Sequence, residues 1–160
     1  MTANESSNTQ SPITITVGYD SDGDGITFDG LDSVWVGLDR LDSLTIAASA
    51  EQPIHFVRDA KQTDWRFEAI SFFPAGNRRL WRAMKTAGET IDPYQRIELE
   101  LTTLEDDRLY VLNRNQNEGA ESLVIRFQIT IEDQISGELL TSHDPQILNE
   151  KDGGAGGSGG

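Results

Sequence analysis

The residues best suited to chemistry by type and spacing are Asp20, Asp22 and Asp24, followed at once by Gly25. Carboxylates on alternate positions of a tight turn can converge on one hard cation, and the glycine permits the bend. Asp29 is the nearest carboxylate that could join such a set. Counted from Asp20, the twelfth position is Leu31, where a complete calcium loop carries a bidentate glutamate. The competing reading is an acidic hairpin turn facing water, since Asp and Gly favour such turns without metal. Beyond calcium at this turn, no cofactor is expected.

Other chemistry finds less support. Ser142, His143 and Asp144 are the residue types of an acyl-transfer relay, yet adjacent side chains of an extended segment point to opposite faces. Glu98 and Glu100 share one strand face about 7 Å apart, within reach of a glycosidase pair, although such pairs normally straddle a cleft. A solvated strand face is the better reading. His55, between Ile54 and Phe56, reads as a half-buried histidine. There is no cysteine, so thiolate metal sites and disulfides are excluded, and no glycine-rich phosphate loop is present. No catalytic residues are assigned, and the chain is not expected to be an enzyme.

The basic segment is more informative. Arg78, Arg79, Arg82 and Lys85 gather four of the 13 cationic residues beside Trp81, in a chain whose net charge is −14. A charge run is usually a solvated face. A compact cationic patch with an aromatic is also what an acidic protein surface would meet, and another copy of this chain offers one. Contact between that patch and a different face of the next copy builds rings or filaments. The acidity disfavours nucleic acid and anionic membrane surfaces as partners.

Positioning these residues falls to β-strands. In Glu121–Asp133, Leu123, Ile125, Phe127, Ile129 and Ile131 occupy alternate positions, which only a strand turns into one apolar face. Its length predicts a central strand paired on both sides, with a second layer covering the apolar face. Ile13–Tyr19 and the segment after Gly25 predict a hairpin, and Trp65, Phe67 and Ala69 alternate with Arg66, Glu68 and Ile70 in another strand. Asn77–Thr86 is the one stretch with helical character. About eight or nine short strands without crossover helices predict one all-β domain, an antiparallel immunoglobulin-like β-sandwich, with a closed barrel as the alternative.

At 160 residues the chain suits a single domain. Residues 1–11 are polar and predict a disordered arm, residues 12–150 the sandwich, and the glycine-rich residues 151–160 a flexible tail, native or engineered. The start MTANESSNTQSP has neither the basic head nor the apolar middle of a signal peptide, and no run is apolar enough to span a bilayer. A cytoplasmic address is expected.

Asp144, Pro145, Ile147 and Asn149 close the folded part as D-P-x-I-x-N. With the Thr-rich first strand and the all-β pattern, this resembles the small bacterial DP-EP family, and more distantly the bacterial inclusion-body protein family. The resemblance implies a bacterial β-sandwich without known catalysis, and for the latter relatives a tendency to accumulate as dense assemblies. Physically, Asp144-Pro145 suits a structural turn, read as a sheet-edge terminator. The expected function is thus a non-enzymatic structural or interaction protein that self-assembles or binds another protein. The basic segment, exposed strand edges or the arm would provide the contact. The alternative is a calcium- or small-ligand-binding β module at Asp20–Asp24.

Overall fold

A computed structural model describes residues 9–23, 25–47, 50–76, 82–117 and 121–150, with Val36 described by its backbone alone. These residues form thirteen strands and no helix. In chain order they are β1 (Ile13–Asp20), β2 (Gly25–Asp29), β3 (Asp32–Val36), β4 (Asp39–Ile46), β5 (Gln52–Arg58), β6 (Trp65–Pro74) and β7 (Arg82–Met84). There follow β8 (Thr90–Ile91), β9 (Leu99–Glu105), β10 (Arg108–Asn113), β11 (Leu123–Asp133), β12 (Leu139–Thr141) and β13 (Gln146–Asn149). No helix among the described residues is long and apolar enough to cross a membrane.

The strands build two sheets packed face to face, an all-β sandwich and not a closed barrel. One sheet runs β2-β1-β5-β10-β9-β8, the other β3-β4-β13-β11-β6-β7, with β12 paired to β11. The period-two pattern places β11 as expected, between β6 on one flank and β13 and β12 on the other. Ile125, Phe127, Ile129 and Ile131 are all fully buried. They face Ile15, Val17, Ile54, Phe56, Leu101 and Val111 of the opposite sheet in one continuous core.

Three expectations need correction. The sheets are mixed: β1 runs parallel to β5 and β4 parallel to β13, because both pairs join segments distant in the chain. The helical stretch is a strand where it is described, since Arg82–Met84 pairs with Ile70–Phe72. A segment that short gains more from completing a sheet edge than from one turn of helix. The alternation expected through Ile70 also breaks. A bulge between Ala69 and Phe67 leaves Glu68 without an opposite number on β11, and the phase of β6 shifts by one. Ile70 and Phe72 therefore enter the core on the same side as Trp65 and Phe67, each at most 3% exposed.

The chain passes from the first sheet to the second through Gly30-Leu31. Gly30 has φ +122°, and a Cβ there would lie 3.0 Å from the Thr14 carbonyl oxygen, so only glycine fits the crossing. At the N-terminus, Thr9 bridges Glu51, and the Gln52 side-chain amide donates to the Ser11 carbonyl. The end of the expected arm is thus laid beside β5. Residues 1–8 and 151–160 lie outside the described residues.

Candidate functional site

The aspartate turn is held by its own hydrogen bonds. Asp20 pairs with Gly25 across the β1–β2 hairpin, its Oδ1 accepts the Asp22 N–H at 2.9 Å, and its carbonyl accepts the Gly23 N–H. Asp24 lies outside the described residues. Asp29 pairs with Thr16 at the opposite end of β2, four residues from Gly25 and hence about 13 Å along the strand. It does not join Asp20, and no group of three potential metal ligands converges among the described residues.

Asp20 opens instead onto a cleft of about 520 Å³ lined by Tyr19, Asp64, Asp133 and Glu138. Here Asp133 ends β11 and locks the turn that follows. Its Oδ1 accepts the N–H groups of Ile135 and Ser136, and its Oδ2 accepts the Tyr19 hydroxyl at 3.0 Å. The two backbone donors first, and Tyr19 after them, hold this carboxyl below its ordinary range. Burial, reinforced by the bond to Asp133, pushes the Tyr19 phenol up. A carboxyl lowered in the folded state contributes stability above its unfolded value, lost as pH falls through the folded one. The melting-temperature gap between wild type and Asp133→Asn is therefore expected to be widest at neutral pH and to narrow as pH falls below the ordinary aspartate value of about 3.9. Thermal unfolding across that range checks it, and a constant gap contradicts it. The sequence signal was present, a strand-ending Asp followed by Gln-Ile-Ser-Gly.

The Ser142-His143-Asp144 trio diverges. Ser142 is buried, its hydroxyl accepts the Ile129 N–H at 3.0 Å and donates to the His143 carbonyl at 2.6 Å. His143 Nε2 lies 3.0 Å from Asp42 of β4, and Asp144 is paired with Arg126. The segment interrupts what is otherwise one flank of β11, shared end to end by β12 and β13. Pro145 continues the link by accepting the Phe127 N–H through its carbonyl at 3.0 Å. Asp144-Pro145 is therefore no sheet-edge terminator: β13 lies inside the sheet, between β4 and β11. The turn feeds the last strand into that slot, Ile147 enters the core, and Asn149 meets Asn113 of the other sheet.

Glu98 and Glu100 surround one guanidinium. Arg114 Nη2 bonds Glu100 Oε1 at 2.6 Å, Nε stands 2.7 Å from Glu98 off the hydrogen-bond axis, and Glu51 adds a third carboxylate at 3.3 Å. All three raise the hold on the Arg114 proton, the Glu100 bond most. His55 stacks on Tyr110 with ring centroids 3.7 Å apart, and burial lowers its pKa.

The remaining surface features sit at sheet edges. Arg78, Arg79 and Trp81 of the basic segment lie outside the described residues. Arg82 opens β7, one end of the second sheet, and Lys85 follows it; Arg82 Nη2 donates to the Thr90 carbonyl of β8. At the opposite end, the β3–β4 hairpin exposes Trp35 (68%) and Leu38 (95%), with Arg40 stacked 5.5 Å from the indole centre. Sequence reasoning missed these two, although V-W-V-G-L is an apolar run ending in a turn glycine. In comparison with known proteins, the chain matches no protein-family model and no curated protein.

Proposed function

We propose that the chain is a non-catalytic, cytoplasmic structural protein that works by associating with further copies of itself through the ends of its sheets. The observation that carries this reading is the β3 edge. Over Asp32–Val36 its one charge is Asp32, with no lysine or proline to discourage a further strand, and it carries an exposed Trp35 with an exposed Leu38 in the turn that follows. Unguarded edges and exposed aromatic tips are where proteins add strands from other chains. The conspicuous polar groups support the same reading, since Ser142, His143, Asp144, Glu98 and Glu100 are engaged in contacts that hold the fold. What the resemblance of the closing segment implies agrees with it.

Sedimentation velocity over a concentration series tests the proposal. Wild type is expected to form species that grow with concentration and dissolve as salt rises, because charge guides the contact. Trp35→Ser/Leu38→Ser is expected to remain monomeric. A wild type that is monomeric at every concentration and salt level contradicts the proposal.

A further inference from the structure

We infer that copies join head to tail by continuing the second sheet. In this arrangement β3 of one copy lies parallel to β7 of the next, and Trp35 enters the cleft between β7 and β8. This rests on the self-association proposed above and names its two surfaces.

Strand directions set the geometry. β3 is antiparallel to β4, β4 parallel to β13, and β13 to β11, β11 to β6 and β6 to β7 are each antiparallel. The two end strands therefore run the same way. A neighbour shifted along the sheet without being turned over presents its β7 to β3 as a parallel partner. Such a contact is heterologous and leaves both outer ends free, so it propagates.

Side-chain direction fits the same arrangement. Trp35 pairs with Arg40, which shares the face of β4 that carries Leu44 and Ile46 into the core. The indole thus projects on the inward side of the second sheet, at the edge. In the next copy that side of β7 opens on a cleft of about 410 Å³ lined by Arg82, Thr90, Ile91, Asp92, Pro93 and Glu98. Ile91 and Pro93 offer apolar contact to an indole, and Arg82 offers it a cation. Arg40, carried in with Trp35, arrives beside Asp92 and Glu98.

Charge separates this contact from its competitors. Residues 29–42 hold four aspartates against one arginine, whereas residues 77–85 hold three arginines and a lysine with no acid. Glu89 stands near, its carboxylate taken up by the Lys85 and Thr86 N–H groups. A two-fold β3–β3 pair would bring together two copies of residues 29–42, each holding four aspartates to one arginine, and a β7–β7 pair two edges that each carry Arg82 and Lys85, so like charge disfavours both. The ends of the first sheet do not match either. β2 ends in Asp29, and β8 is two residues long between Glu89 and Asp92.

The test uses the full chain and two exposed substitutions, Trp35→Ser and Arg82→Glu, each checked for an unchanged thermal transition. Each variant alone is expected to associate more weakly than wild type by on the order of tenfold or more, since one half of the contact is lost. Mixed in equal amounts, they are expected to form heterodimers and nothing larger. The Trp35 of the Arg82→Glu copy finds the intact cleft of the Trp35→Ser copy, and neither can extend the chain. If Arg82→Glu alone still associates like wild type, or the mixture yields no heterodimer, this pairing is wrong while self-association stands. A monomeric wild type removes both.

Discussion

Phe127→Ala is expected to cost about 3–5 kcal/mol in stability, the range for emptying a fully buried aromatic site. Phe127 lies at the middle of β11 with no exposed surface, and its ring meets residues of both layers. The ring centroids of Phe56 and Phe28, from the first sheet, stand 5.4 and 5.9 Å away, and that of Phe72, on the neighbouring β6, 6.4 Å. Removing it leaves a cavity among three rings that belong to different strands and cannot close together. Against a total stability of about 5–15 kcal/mol, such a loss lowers the denaturation midpoint steeply. Equilibrium unfolding in urea measures it. A loss under about 1.5 kcal/mol would mean that this aromatic cluster does not hold the layers together.

The second large effect concerns amides. Asn113 and Asn149, both fully buried, exchange side-chain hydrogen bonds of 2.9 and 3.4 Å between the two sheets. Asn115 donates to the Ala47 carbonyl, and Asn117 to those of Glu121 and Glu150, so the ladder fastens β13 and the chain end beyond it. Asn149→Leu strands the Asn113 amide away from water and is expected to cost about 1–3 kcal/mol. Because the partners share one bond pair, Asn113→Leu/Asn149→Leu is expected to cost less than the two single changes together, with a coupling of at least about 0.5 kcal/mol. Strict additivity in the cycle would show that the amides do not act as a pair.

These two sites differ in how legible they were. Phe127 announced itself, because strict alternation over Leu123–Ile131 leaves no other way to make an apolar face. Asn113, Asn115 and Asn117 alternate just as regularly in NRNQN, yet asparagine is the usual residue of a solvated loop. Their burial follows from Asn149 arriving 36 positions away from Asn113. The parallel neighbours β1–β5 and β4–β13 were invisible for the same reason, since parallel pairing joins segments that no local pattern links. The bulge at Glu68 hid Ile70 from any period-two count.

Candidate sites divide along the same line. The Asp20 turn was legible as a turn, since Asp and Gly dictate it locally. Whether Asp29 could join depended on hairpin register, which places it at the other end of β2. Asp144-Pro145 was legible as a break in strand pairing, but its place inside the sheet depends on β4. The opposed charges of residues 29–42 and 77–85 were plain in the chain. That Asp32 and Arg82 stand in the strands at opposite ends of one sheet required the strand order.

Imaging the wild-type protein at low salt by electron microscopy tests the central claim most directly. A filament that continues the second sheet advances by its six hydrogen-bonded strands per copy, a repeat of about 29 Å at about 4.8 Å per strand. Filaments with that axial rise, lost in high salt, are the expected result. Separate particles, closed pairs or a filament whose rise departs far from that value would contradict it.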